Sequence, residues 1–454
     1  MMNQMKMLIP MMKNDVKSSN YNIYFYDEGK PYVYNTYTGA LSRFEKEKSL
    51  FKNLKDNRFS NVSEEQIGSL FKQGFVVKSE MNELNRIKQK ELETINSARD
   101  VAMFVVAPTL KCNFNCVYCF EKNKNMLTEN NDIENDIFNF IVKEAELKHF
   151  KTIIVSWFGG EPLLKFKLIL SLSRRIKEYA TKNKIEFYSK IVTNGSFFTK
   201  DKILSLISNG NLRHAQITLD GDVEIYCKQK GVESGVFDLV LKNIAEASTL
   251  IKVSVRLNCS EGSYNSIKCM IRHFLTKYEN VLKKKNINFY LAKITNYEMS
   301  GQDCSFPYKF FEEKKDFKKF LDLNNLNKRN NEKRLIWRPR KTFCGLRCLN
   351  SYIIGPDGAL YKCEHDIGDS SRAVGDIWNG YFYNDYYMKL VNREISGDCT
   401  KCKLIPICMG GCFANGSLFK KGHECVITEP ILIENIREFL GNTTQKDTPP
   451  TTNG

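Results

Sequence analysis

The distribution of cysteine constrains this chain more than anything else in it. Eleven of its 15 cysteines fall into two dense groups. Cys112, Cys116 and Cys119 form the first, spaced C-x3-C-x2-C. Cys344, Cys348, Cys363, Cys399, Cys402, Cys408, Cys412 and Cys425 form the second. Met1–Lys13 is Met-rich but lacks an apolar core and a small-residue cleavage site, so it makes a poor signal peptide. Dense cysteines in a chain without a secretion signal read as metal ligands rather than a disulfide framework. The remaining four, Cys227, Cys259, Cys269 and Cys304, are scattered and read as buried small hydrophobes.

A chain of 454 residues has room for two to four domains of about 100–200 residues each. Its 42% hydrophobic and 26% charged content is that of a globular protein, which excludes a largely disordered, collagen-like or coiled-coil chain. No apolar run approaches the roughly 18 residues of a membrane helix, so a cytoplasmic protein without a membrane partner is expected. The net charge is +16. Its basic blocks, Lys283–Lys285 and Lys328–Arg334, are short and read as a solvated face, with a groove for an acidic partner as the alternative.

Residues 1–20 read as a flexible lead. Asn22–Tyr26 and Tyr32–Tyr34 read as strands around a turn at Asp27–Pro31. Helical patterns follow at Glu45–Leu54 and Ser63–Gln73, the second opening with the capping-box pair Ser63 and Gln66. Phe75–Val77 reads as another strand. This is a winged-helix-like module over residues 21–92, whose exposed strand edge suits an extended peptide; a plain structural cap is the alternative. Asn82–Asp100 reads as a linking helix.

From Val101 the rhythm changes. Val101–Ala107, Thr152–Trp157, Lys190–Thr193, Ala215–Leu219, Val253–Leu257 and Asn288–Ile294 read as strands, alternating with amphipathic helices. Six such units imply an α/β fold, a partial (β/α)6 parallel barrel over residues 93–330. Ligands of such sheets sit at the C-terminal strand ends. The polar stretch Asn324–Arg334 marks a boundary. Residues 331–440 read as the next domain; within it residues 340–426 hold too little apolar sequence for an ordinary core, so metal sites are expected to organise them. Ile431–Leu440 reads as a short helix and residues 441–454 as a disordered tail.

The first cysteine group follows the first barrel strand. Three thiolates within eight residues can hold one metal centre. A structural zinc site closes with four ligands, and a [4Fe–4S] cube also takes four cysteines as a rule. Three therefore leave one iron open to a substrate, or leave a zinc knuckle to be completed by a distant residue. The sequence resembles the radical S-adenosylmethionine (SAM) superfamily, in which C-x3-C-x2-C binds the catalytic cluster; the resemblance spans roughly residues 101–300. It implies that SAM chelates the open iron and is cleaved to methionine and a 5′-deoxyadenosyl radical.

Other strand-end motifs agree with that resemblance. Gly159 and Gly160, in Trp157-Phe-Gly-Gly-Glu-Pro, let backbone approach a ligand. In the family the following glutamate, here Glu161, grips SAM's amino group. Asn194 ends the third strand and reads as a site residue, or as ordinary turn chemistry with Gly195. Asp220-Gly221 ends the fourth in the same way. Arg256 and Asn258 end the fifth, near SAM's carboxylate or ribose, with a structural ion pair as the alternative.

The second group, together with Gly358, Pro406 and Gly410-Gly411, resembles the SPASM extension of peptide-modifying radical SAM enzymes. Two zinc sites are the physical alternative. The resemblance implies two auxiliary [4Fe–4S] clusters, one on Cys344, Cys348, Cys363 and Cys412, the other on Cys399, Cys402, Cys408 and Cys425. With the radical cluster that makes three [4Fe–4S] clusters, plus SAM, as cofactors. Glu364 follows Cys363 directly, where sulfatase-maturing relatives place a catalytic Asp. It reads as a base, or else as a surface glutamate.

These features lead to one expectation: a ranthipeptide-type maturase that forms a Cys thioether on a ribosomally made precursor peptide. The N-terminal module would bind the leader, and a flavodoxin or ferredoxin would donate electrons. A sulfatase maturase and a carbon–carbon crosslinking maturase are alternatives. A zinc-rich nucleic-acid-binding protein is the alternative outside this class; no nucleic-acid partner is expected.

Overall fold

The computed structural model describes residues 15–97, 100–121, 133–260, 262–282, 286–294, 306–324, 326, 338–342, 344–392, 395, 397–412, 425 and 427–444. Near the N-terminus β2 (Asn22–Asp27), β3 (Lys30–Asn35) and β4 (Leu41–Arg43) form an antiparallel sheet in that order. Glu28 and Gly29 turn the first hairpin with φ of 48° and 74°, the geometry that matches the twist of a two-residue hairpin. β1 (Val16–Ser18) pairs antiparallel with β5 (Val76–Lys78). This strand lies within the stretch read as a flexible lead. Three residues carry no periodic signal; the pairing with Val76–Lys78 is what orders them.

Helices Lys48–Lys55 and Glu64–Gln73 cover one face of this module. Ser63 and Gln66 form the capping box read from the sequence, and Gly74, at φ 81°, ends the helix. Side chains alternate across a strand, and both faces of the sheet are used. Val33 packs with Leu50, Leu54 and Ile67 of the module's own helices. Ile23, Phe25, Tyr32 and Tyr34 face the other way, onto Leu404, Ile407, Ile431, Leu432 and Ile436. The linking helix, Glu83–Ser97, runs through the expected 92/93 boundary.

Among the described residues the main sheet has ten strands. β6 (Val101–Val106), β7 (Thr152–Trp157), β8 (Glu186–Thr193), β9 (Leu212–Leu219), β10 (Lys252–Cys259) and β11 (Ile287–Lys293) are parallel and lie in sequence order. Each strand adds to the same side of its predecessor, as in the expected partial barrel. Trp157, Phe104 and Ile191 are fully buried between sheet and helices; each such side chain contributes about 1.5–3 kcal/mol.

The sheet does not stop at β6. β12 (Ser351–Ile354) pairs parallel with it, Ser351 opposite Met103. β13 (Ala359–Tyr361), β14 (Gly375–Asp376) and β15 (Gly380–Tyr381) continue antiparallel from there. The cysteine-rich extension is thus partly a continuation of the barrel sheet. Helix Glu429–Thr444 crosses the expected start of the tail at residue 441. Residues 445–454 and most of the Asn324–Arg334 boundary lie outside the described residues. No helix among the described residues is long and apolar enough to cross a membrane.

Candidate active site

The C-terminal ends of the barrel strands open into a cavity of about 450 Å3. Cys112, Cys116 and Cys119 line it, with Gly159, Gly160, Asn194, Arg256, Asn258 and Glu364. The structure thus gathers nearly every residue singled out from the barrel motifs, and adds Tyr118, Lys230 and His365.

The cysteine loop is held from two sides. On one side the Gly159-Gly160 turn packs against its entry: Gly160 N donates to Thr109 O at 3.1 Å and Glu161 N to Lys111 O at 2.9 Å. A Cβ on Gly160 would sit 2.3 Å from Lys111 O and 2.4 Å from Leu110 O. The sequence explained these glycines by close approach to a ligand; here they also approach the entry of the cysteine loop. On the other side, Asn115 N donates to Lys230 O and Val117 N to Gln229 O, both at 3.0 Å. Those carbonyls end helix Val223–Lys230 and would otherwise be left without partners.

Glu161 is fully buried and is not among the residues that line the cavity. Its carboxylate accepts from Leu163 N at 3.0 Å, Asn194 N at 2.8 Å and Thr193 Oγ1 at 2.8 and 2.9 Å. Burial raises its pKa, and the hydrogen bonds from Asn194, Leu163 and Thr193 oppose that. The structure therefore turns this carboxylate toward the chain itself, where it ties the end of β7 to the end of β8. Asn194, so fixed, donates its amide to Asn113 Oδ1 at 2.8 Å and to Cys112 Sγ at 3.7 Å.

Behind the loop lies a polar network. Tyr118 donates to Asp220 Oδ2 at 2.6 Å. Its hydroxyl accepts from Lys230 Nζ at 2.7 Å and Asn258 Nδ2 at 3.0 Å. Asn258 also donates to Asp220 Oδ1 at 3.0 Å and accepts from Arg256 Nε at 2.9 Å. Lys230 and Asp220 form an ion pair at 3.4 Å with side chains 3% and 0% exposed. Burial pushes the Lys230 pKa down, but Asp220 and its neighbours leave it well above normal. Lys230 carries no motif in the sequence, and its helix, Val223–Lys230, was not read there either. Asp220 was read as a strand-end site or turn residue, without the lysine and tyrosine partners it has here.

The second cysteine group begins where the cavity ends. Burial pushes the Cys363 thiol up to about 12, with Cys412 and Cys344 adding to the rise. Cys344 likewise lies in the field of Cys412 and Glu364. These three expected co-ligands are therefore neighbours. Cys348 is tied in through Lys362, whose Nζ donates to Cys348 O at 2.8 Å and Ser351 O at 2.7 Å. Cys399 and Cys402 share one turn, where Cys402 N donates to Cys399 O at 3.2 Å. Cys408 closes the short helix Ile405–Cys408. Glu364 is no plain surface residue: it lines the cavity, burial raises its pKa, and Arg256 opposes the rise. The His365 ring lies 4.3 Å from that of Phe120, joining the two cysteine segments.

Soft thiols suit iron–sulfur centres or zinc. Among the described residues no three His, Cys, Asp or Glu side chains converge on a single ion. Cys112, Cys116 and Cys119 all line the one cavity, so the loop's thiols fit the iron–sulfur group expected there.

Residues 106–260 match the Radical SAM superfamily model. The radical SAM cyclopropyl synthase TigE of Paramaledivibacter caminithermalis is 27% identical over 169 residues, 32% of this chain and 34% of that protein. The chain thus matches about a third of that relative's length. Two solved structures share the fold. Streptococcus suis SuiB is 15% identical with a TM-score of 0.53, over 90% of this chain and 99% of that one. The anaerobic sulfatase maturase anSMEcpe, bound to AdoMet and the Cp18Cys peptide, is 16% identical with a TM-score of 0.56, over 76% and 97%. The family match displaces the zinc-rich nucleic-acid-binding alternative. The family match therefore falls on residues 106–260, the part of the chain that carries the cysteine loop and most of its cavity.

Proposed function

We propose that this protein is a peptide maturase that joins a cysteine of a ribosomally made precursor peptide to another of its residues through a thioether. One observation carries the reading: a single cavity runs from the three-cysteine loop to Glu364 and His365, beside Cys363 of the second group. A substrate there meets the radical-forming end and the auxiliary end together.

When bound, the clusters and SAM supply one-electron cleavage of SAM to methionine and a 5′-deoxyadenosyl radical, and a sink for the electron the peptide leaves behind. Cys112, Cys116 and Cys119 hold the radical cluster, and the second group holds two auxiliary ones in the ligand sets given above. Gly159, Gly160, Asn194, Arg256 and Asn258 shape the SAM end of the cavity, and Glu161 braces it from behind. Glu364 accepts the proton of the peptide thiol. A cytoplasmic flavodoxin or ferredoxin supplies the electron.

The N-terminal module supports a peptide substrate. β4 is an edge strand, and edge strands accept an added strand. Beside it runs a groove of about 770 Å3, lined by Tyr32, Tyr34, Leu41, Arg43, Arg338 and Phe439. SuiB, whose structures include one with its precursor peptide SuiA, matches 90% of this chain. The sulfatase maturase matches 76%.

The test is anaerobic incubation of reconstituted protein with SAM, dithionite and the Cys-containing peptides encoded by short reading frames beside its gene. The proposal expects 5′-deoxyadenosine and a peptide lighter by two hydrogens with one fewer alkylatable thiol. A product lighter by two hydrogens with every thiol intact would indicate a carbon–carbon crosslink, and a Cys converted to an aldehyde would indicate sulfatase maturation.

A further inference from the structure

Helix Val223–Lys230 is not among the elements the sequence reading identified, yet it meets the cysteine loop twice. Its final carbonyls cap Asn115 and Val117, the residues on either side of Cys116. Gly231, at φ +64°, ends the helix where a Cβ would lie 3.0 Å from Asn115 O. The last side chain then turns inward. Lys230 Nζ reaches Tyr118 Oη at 2.7 Å, Thr218 Oγ1 at 2.9 Å and Asp220 Oδ2 at 3.4 Å. Tyr118 stands between Cys116 and Cys119, Thr218 is on β9, and Asp220 follows β9. Through Asn258 the same group continues to Arg256 on β10.

We propose that Lys230 is the positioning residue of the SAM site. Its ammonium holds Tyr118, and with it the cysteine loop, in register with the Arg256 and Asn258 wall across the cavity. Three features of the geometry support this. The Tyr118 hydroxyl donates once and accepts twice, so its ring has one orientation in the cavity. The cation stands at a helix C-terminus, where the helix dipole favours it. The ion pair is closed off from solvent, so salt does little to weaken it. A lysine that served only to close the helix would leave its ammonium in water.

The test uses Lys230→Met in the full-length, anaerobically reconstituted protein. Iron content, SAM affinity and the change that SAM produces in the EPR spectrum of the reduced protein are measured. Partners that orient a metal site are worth about 10–100-fold in affinity or activity. The variant should keep the iron of the second cysteine group, bind SAM at least about tenfold more weakly, and show an altered EPR response. Tyr118→Phe, which leaves the ion pair intact, should shift both readouts the same way by less. Should Lys230→Met fail to fold, the charge-neutral Lys230→Met/Asp220→Asn double is measured instead. Unchanged SAM affinity and EPR response in a folded variant would overturn the proposal. None of these readouts needs a peptide, so they stand or fall apart from the maturase reading.

Discussion

Thr193 Oγ1 donates to the Glu161 carboxylate, lying 2.8 Å from one oxygen and 2.9 Å from the other. With Asn194 N and Leu163 N, it gives this buried carboxylate three donors from its own chain. Glu161→Gln removes the charge and puts an NH2 where an acceptor is needed. It should destabilise the fold by about 1–3 kcal/mol, the cost of leaving a buried polar group unsatisfied. Denaturant titration measures the loss. A variant as stable as the wild type would show that the carboxylate is not needed there.

Gly160→Ala tests the other half of the same motif. Its methyl would press on Lys111 O and Leu110 O, so the cysteine loop must move. The loss should fall on the radical cluster: weak or absent SAM-dependent EPR change, with the auxiliary signals kept. Equal loss of all three signals would mean global misfolding instead.

The linking helix reaches the turn between Cys344 and Cys348 through a buried ion pair. Arg347 Nη1 donates to Glu91 Oε1, while its Nε and Nη2 donate to Leu390 O and Val391 O, each at 2.9 Å. Glu91→Gln leaves the guanidinium without its counter-charge and should cost about 3–5 kcal/mol. The double Glu91→Leu/Arg347→Met should recover much of that. Thermal unfolding of the three proteins measures the pattern, and an additive double variant would contradict it.

The N-terminal sheet is packed against the C-terminal helix by Ile23, Phe25, Leu432 and Ile436. Leu432 is fully buried there. Leu432→Ala should cost about 2–5 kcal/mol. It should also lower the melting of the N-terminal module and of the auxiliary iron together. Independent transitions would show that the two parts do not share this core.

The barrel was legible because its strands are short apolar runs between long amphipathic helices, as at Thr152–Trp157 and Phe166–Lys182. Capping was legible too, since Ser63 and Gln66 stand at the required spacing. β12–β15 were not legible, being two to four residues long. The parallel pairing of β12 with β6 joins residues about 250 positions apart, which no local pattern encodes. In the site, spacing revealed the thiols of Cys112, Cys116 and Cys119. It could not reveal that the Glu161 carboxylate accepts from Thr193, Asn194 and Leu163, because those partners meet it only in the folded chain. Lys230 was hidden for a related reason: Asp220, Tyr118 and Thr218 come together only once the loops fold over the strand ends.

Iron per chain, measured on anaerobically reconstituted protein, tests the central claim most directly. Three cubes predict about 12 irons and negligible zinc. The combined Cys112→Ala, Cys116→Ala and Cys119→Ala variant should lose about a third of them and all cleavage of SAM. Mostly zinc with negligible iron, or iron that does not change when those three cysteines are removed, would contradict the account.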